Sequence, residues 1–237
     1  MTLADFNAQF DLYYNNIASN QAPGLNAYEK SVFLTDAQNE YALNLYNGKN
    51  PLGESFEQTE ELRRYLSDLV LEATLSPHTA EEATMPTKID ANSTLFKLPQ
   101  NTNTNKYKKV WFIVYENVLL KKDDANGCLS GKTMDVVPTR YDEYAKVRKN
   151  PFRGANNRRA LRFDYSKDFV EIVCNYKVDK YYIRYLRKPK PIILEKLEEG
   201  LSIDGESNAM NCELPDSLHK VILMRAVELA IQSWNKQ

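Results

Sequence analysis

From Leu3 to Ser19, the residues Phe6, Phe10, Tyr13, Tyr14 and Ile17 return at three-to-four spacing. That period predicts one amphipathic helix, ended at Gln21-Ala22-Pro23-Gly24. A second helix is expected from Tyr28 to Tyr46, with Leu34, Ala37, Tyr41 and Leu45 on one face and Gly48 as its stop. In the third, Ser55 and Gln58 read as a capping box. Leu62, Tyr65, Leu66, Leu69, Val70 and Ala73 then keep a helical period until Pro77 closes it. At the far end, Pro215 suits a first helical position and Asp216 the positive end of the helix dipole. Leu218, Val221, Ile222, Ala226, Leu229, Ala230 and Trp234 follow as a broad apolar face. Such a face must be covered, and the three N-terminal helices are its expected partner.

The pattern changes to β in the middle. Val110 to Leu120 is a nearly continuous run of β-branched and aromatic residues, long enough for a central strand. Asp123 to Gly127 carries an Asn-Gly turn signal, and Lys132 to Val137 returns as far as Pro138. Thr139 is placed to cap a short helix reaching Arg148. Leu161 to Tyr165, Phe169 to Cys174, Tyr181 to Leu186 and a short Ile192 to Leu194 complete five or six mostly antiparallel strands. The class is α+β: a helical bundle built from both chain ends with an inserted β domain. The expected divisions are 1–76 for the N-terminal helices, 77–107 for an extended loop, 108–200 for the β domain, and 201–237 for a linker and closing helix.

Composition narrows the function classes. The chain has 237 residues, 43% hydrophobic and 27% charged, enough for a core without a metal or disulfide. The net charge of −1 argues against a dedicated nucleic-acid binder. No apolar stretch reaches a membrane span and no secretory leader is seen at Met1 to Asp5, so the chain is expected to stay where it is made. Cys128, Cys174 and Cys212 are odd in number and widely spaced, which suits free thiols in a reducing compartment. Fifteen Tyr against eight Gly supply rigid contact area with a polar tip, as wet interfaces use.

Catalytic chemistry is harder to assemble. His78 and His219 are the only histidines, and no Cys or His pair has metal-ligand spacing. Neither Gly-rich phosphate cradle occurs. Gly127-Cys128-Leu129-Ser130-Gly131 lacks a base to activate a nucleophile and reads as a hairpin loop. Glu54, Glu57, Glu60, Glu61, Glu72, Glu81 and Glu82 crowd the third helix, off its apolar stripe or beyond its ends, as a solvated or partner-facing surface. No enzyme, cofactor or metal is expected.

Two segments fit neither helix nor strand. Ser76 to Lys106 is long and polar around a small apolar island, and is expected to order on assembly with Leu95, Phe96 and Leu98 docking on a neighbour. Lys146 to Arg162 holds Lys146, Arg148, Lys149, Arg153, Arg158, Arg159 and Arg162 with no acidic residue between them. A solvated loop, a contact to an acidic protein surface and contact to phosphates all remain open for it. The expected role of Arg158, Arg159 and Arg162 is assembly, pairing with acidic residues of an adjacent protein, with DNA a secondary partner at most.

Four segments resemble one family. Glu29 to Tyr41, with its Phe33-Leu34 and Ala37-Gln38, looks like the helix that opens many phage connector and tail-adaptor proteins. Tyr141-Asp142-Glu143-Tyr144 with Asn150-Pro151-Phe152-Arg153, and Tyr182-Ile183-Arg184-Tyr185 leading to Lys188-Pro189, resemble segments of crAss-like phage structural proteins. Cys212-Glu213-Leu214-Pro215 through His219 to Ala230 is similar to their closing helix. They occur in family order across nearly the whole chain, from Glu29 to Trp234. The resemblance, to ring (adaptor or neck) proteins of podovirus-type crAss-like phages, implies a virion subunit assembled in the bacterial host cytoplasm. It further implies a cyclic, twelve-fold homo-oligomer below the portal. Portal and adjacent ring or tail proteins would be its partners, and genomic DNA would cross the lumen without sequence-specific binding. It carries over no catalytic residue. A tail-tube, tail-hub-proximal or capsid-associated subunit is the alternative.

Overall fold

The computed structural model describes residues 1–17, 23–49, 59–78, 88–90, 92–102 and 106–234, the side chains of residues 124–126 excepted. The fold is α+β, with helices at the chain ends and a seven-stranded, mostly antiparallel curled sheet between them. The chain divides into two compact units, residues 1–69 with 188–237, and residues 70–187. Residues 70–76 therefore belong with the sheet and residues 188–200 with the helices, against the boundaries expected at 76 and 200.

The helical unit contains α1 (Leu3–Ile17), α2 (Ala27–Asn47), α3 (Glu60–Leu66) and a closing helix (Asp216–Trp234). Asn26 and Glu29 cap α2 reciprocally, and Gly48 ends it in the left-handed conformation at φ 73°, where a side chain would be strained. The closing helix begins one residue later than expected, at Asp216. It buries Leu218, Ile222, Leu223, Ala226, Val227 and Ala230, and packs on α1 and α2. Leu34, Ala37, Ala42 and Leu45 of α2 and Phe6 and Phe10 of α1 are buried with them.

Residues 192–194 form no strand. Their backbone instead meets polar side chains of α2. Ile192 N–H donates to Thr35 Oγ1 at 3.1 Å and Leu194 N–H to Ser31 Oγ at 3.0 Å. Gln38 Nε2 donates to the Lys190 carbonyl at 2.7 Å. Ser31, Thr35 and Gln38 recur at helical spacing, so one stripe of α2 supplies the partners a neighbouring strand would otherwise give. Only Ile193 makes a β-bridge, to Met210.

Helix α3 is much shorter than the sequence suggests. Thr59 caps it, accepting the Leu62 N–H at 3.4 Å; the expected Ser55–Gln58 box lies outside the described residues. A three-ten turn over Ser67–Leu69 ends the helix, and the residues read as its second half become strand β1 (Val70–Leu75). Leu71, Ala73 and Leu75 face the sheet core while Glu72 and Thr74 face out. That is a period of two, hidden under the helical one.

The other strands are β2 (Ser93–Lys97), β3 (Val110–Leu120), β4 (Thr133–Pro138), β5 (Arg159–Asp164), β6 (Phe169–Val173) and β7 (Val178–Arg187). Their spatial order is β1-β7-β3-β4-β5-β6-β2, with β4 and β5 the one parallel pair among the described residues. The sheet curls until its edges approach: Pro77, just past β1, bridges to Phe96 of β2, and His78 N–H donates to the Leu95 carbonyl at 2.7 Å. The enclosed core holds Phe96, Leu98, Val118, Met134, Ile172, Tyr181 and Ile183.

Strand β2 lies inside the segment expected to be a loop. Leu95, Phe96 and Leu98, expected to dock on a neighbour, are 2%, 0% and 8% exposed within the chain's own sheet. Phe96 packs on Tyr181 at 5.3 Å between centroids, so its apolar surface is spent intramolecularly. Residues 79–87, 91 and 103–105 of that segment, with Glu81 and Glu82, lie outside the described residues, as do Glu54 and Glu57.

Candidate functional site

The parallel pairing of β4 and β5 requires a crossover, since a hairpin turn reverses direction. That crossover, residues 139–158, carries most of the basic run. It starts with a three-ten turn over Tyr141–Glu143 and one turn of helix, α4 (Tyr144–Val147); the closing helix Asp216–Trp234 is thus α5. Thr139 does not cap: its hydroxyl turns back to the Val137 carbonyl at 3.3 Å, and the turn begins without a side-chain cap.

Tyr144 and Val147 pack with Leu161, Phe163 and Val173 on the face of β5 and β6 opposite the enclosed core. Phe163 meets Tyr144 edge-on at 5.2 Å and Tyr141 at 5.1 Å. Tyr144 OH donates to Asp90 at 2.6 Å, and Tyr141 OH lies 3.4 Å from Glu171, a fully buried carboxylate that also accepts from Ile89 N–H and Ser93 OH. Burial first, and these carboxylates second, push both tyrosine hydroxyls up to about 12. Asp90 is held below the usual carboxylate range, chiefly by the Asn92 N–H and then by Tyr144. A hollow of about 290 Å³ opens beside this cluster, lined in part by Asp90, Arg148 and Asn175.

Beyond α4 the backbone is held at each turn. Asn150 Oδ1 accepts from Phe152 N–H at 2.9 Å and Arg153 N–H at 3.2 Å, while the Asn150 carbonyl accepts Gly154 N–H at 2.7 Å. Glycine suits this position, because a Cβ would lie 3.0 Å from the Asn150 carbonyl and 3.1 Å from the Val147 carbonyl, tighter than ordinary contact. Arg159 Nη1 donates to the Phe152 carbonyl at 2.9 Å, Asn156 Oδ1 accepts Arg158 N–H, and Asn175 and Tyr176 tie Ala155 and Asn157 down. At the tip, Phe152 is 84% exposed. The sequence gives no signal for this; only the tied turn makes it visible.

Apart from Arg159, which fastens the turn, the basic residues separate into two groups. Lys146, Arg148, Lys149, Arg153 and Arg158 are exposed, and among the described residues only Arg148 has a carboxylate nearby, Asp90 at 3.7 Å. Arg162 points the other way. Its Nη1 donates to Glu116 at 2.8 Å, and its Nε lies 3.1 Å from Asp164 without hydrogen-bond geometry. Glu116 also accepts from Tyr181 OH, which is fully buried. Burial raises Glu116 above the usual carboxylate range, against the opposing pull of Arg162 and then Tyr181. Arg162 is thus a structural ion-pair residue, not the partner-facing group expected alongside Arg158 and Arg159.

The helical unit carries a second feature. Arg225 on α5 grips Glu40 on α2 through two hydrogen bonds of 2.9 and 2.8 Å, and reaches Glu228 at 3.0 Å. Tyr41, Val221 and Met224 beside it line a hollow of about 220 Å³, with Val221 46% exposed. Glu61 stands close enough that, after burial, it is the second cause of the raised Tyr41 pKa. A larger hollow of about 610 Å³ lies on the outer sheet face over β1, β7, β3 and β4, where Glu72 and Arg184 sit opposite one another.

Among the described residues no three His, Cys, Asp or Glu side chains could hold a metal, and no helix is long and apolar enough to cross a membrane. His219 is buried against Phe6 and the Leu214 carbonyl, and His78 packs on Phe169. What stands out is surface: tied loops, charge and shallow hollows.

Comparison with known proteins agrees in kind. Ring protein 3 of Bacteroides phage crAss001 is 42% identical over 234 residues, covering 98% of this chain and 96% of that protein. Ring protein 4/5 of the same phage is 31% identical, over 97% of this chain and 92% of its own length. The family described as phage tail ring protein 3/4 matches residues 1–237. The chain belongs to the phage tail ring protein 3/4 family of crAss-like phages.

Proposed function

We propose that this protein is a structural ring subunit of the head-to-tail connector, closing with copies of itself around a channel that the genome crosses during retention and ejection. The observation that carries the reading is the 42% identity to Ring protein 3 across 98% of this chain and 96% of that protein. In this reading the ring is twelve-fold, assembles in the host cytoplasm, and stacks against the portal or an adjacent ring or tail protein. The family description names a tail ring, which favours the tailward part of the connector.

A ring needs two different surfaces on each subunit, because a heterologous contact repeated by rotation closes only if one patch fits another. The rigid basic crossover with Lys146, Arg148, Lys149, Arg153 and Arg158 is our candidate for one of them. The role proposed is assembly, with DNA passing and not gripped. Electron microscopy of intact particles with this subunit located tests the proposal. A closed ring coaxial with the tail between portal and tail is expected; density on the capsid surface or along a tail tube would overturn it.

A further inference from the structure

The exposed Phe152 is the observation that the ring reading leaves unused. A largely exposed phenyl at the tip of a loop tied by Asn150, Gly154 and Arg159 loses little conformational freedom on docking. Aromatic and arginine side chains are the residue types that anchor interfaces. Here Phe152 is flanked by Lys149, Arg153 and Arg158, which meet no carboxylate within salt-bridge distance among the described residues. Its complement must be an apolar hollow with an acidic rim.

The chain carries such a hollow itself. Between α2 and α5, Tyr41, Val221 and Met224 line about 220 Å³, and a cavity of roughly 150 Å³ is enough to admit benzene. Two carboxylates of its lining, Glu40 and Glu228, flank the one guanidinium there, Arg225, which both already hold, and Glu61 adds a third negative charge near Tyr41. The larger hollow on the sheet face lacks this bias, since Glu72 and Arg184 cancel there in register.

We infer that Phe152 of one copy docks in the α2–α5 hollow of the next, with the surrounding basic residues meeting its acidic rim. The inference rests on the ring reading and names the contact that closes the ring. One chain bearing both a basic knob and an acidic hole satisfies the condition for a head-to-tail interface, and opposite charge fixes the register.

The test is covalent capture. With exposed Cys128 replaced by Ser, Phe152→Cys and Val221→Cys are introduced together and separately, and the purified chain is oxidised under conditions where its assembly is followed by sedimentation. The double variant is expected to give a ladder of linked copies that neither single variant gives. Phe152→Ala is expected to raise the concentration for half-assembly about thirtyfold, the factor matching a hot spot of about 2 kcal/mol. Closed rings that form without a ladder, or a link within one chain, overturn the contact and leave the ring reading standing. A chain that stays monomeric and unlinked at its highest attainable concentration removes the second copy as the occupant and weakens the ring reading with it. Phe152→Ala particles whose ring instead loses only its axial neighbour would place a different virion protein in that role.

Discussion

Replacing Arg162 by Met separates structure from assembly in the basic run. The substitution keeps the apolar stem and removes the guanidinium. Glu116, only 8% exposed, is then left with the Tyr181 hydroxyl as its remaining side-chain partner. Breaking a buried pair by deleting one partner costs about 3–5 kcal/mol, because the other charge stays desolvated. The Arg162 side chain keeps 12% exposure, so some water relieves the site and the low end, about 3 kcal/mol, is the expected loss near neutral pH. With an m-value of about 1–3 kcal/mol per molar urea, the unfolding midpoint should fall by about 1–3 M.

The pH dependence gives the prediction a sign. Burial already holds Glu116 above the ordinary carboxylate value of 4.5, and Arg162 is the first cause opposing it. In the variant that opposition is gone, so the folded-state value rises further. A carboxyl with a raised folded pKa binds its proton more tightly folded than unfolded. Its penalty is therefore absent below the unfolded value and grows as pH climbs from there toward the folded value. The variant should recover toward the parent as pH is lowered from about 7 to about 5, and Glu116→Gln on top of Arg162→Met should recover it at neutral pH. Urea titrations followed by circular dichroism at both pH values read this directly. A single variant within about 1 kcal/mol of the parent, or a loss that ignores pH, would refute the ion-pair argument.

Thr35→Val on α2 keeps the volume but leaves the buried Ile192 N–H without its acceptor, for an expected loss of about 1–3 kcal/mol in urea unfolding; no loss would mean that segment finds another partner. Gly154→Ala places a methyl 3.0 Å from one backbone carbonyl and 3.1 Å from another, so the Phe152 turn must shift at a cost of about 1–3 kcal/mol, and self-assembly should weaken with it. Arg158→Glu, at an exposed position, should leave the unfolding midpoint unchanged within about 0.5 kcal/mol while impairing incorporation into particles. Normal incorporation with abnormal DNA ejection would instead turn the crossover toward the channel.

The helices with caps and broad apolar stripes, α1, α2 and α5, were legible because each satisfies its own local rules, and β3 because its run of β-formers is long. Strand β1 was not. Leu62, Leu66, Leu69 and Ala73 keep a helical period, while Leu71, Ala73 and Leu75 keep a strand period over the same residues. The deciding factor is β7, paired from Leu186 back to Tyr181 and remote in sequence. Strand β2 left only the Leu95-Phe96 island as a trace, since its partners are β6 and a single bridge to Pro77. Local pattern cannot choose between periods when the partner that rewards one of them is distant.

The basic run was legible as charge and illegible as direction, and strand parity explains both. Seven like charges in one stretch suggest one surface. Yet Arg159 and Arg162 lie on opposite faces of β5. Arg162 shares the face of Ala160 and meets Glu116 on β3, 46 residues away in sequence. Arg159 shares the face of Leu161 and Phe163, and its guanidinium closes the loop beneath Phe152. The residues before the strand follow the crossover outward. One run of arginine and lysine therefore does three jobs, neutralising a buried carboxylate, fastening a turn and presenting charge to solvent. Only the third group is open to a partner, and it shares the crossover with Phe152, the one phenyl ring held out in water among the described residues.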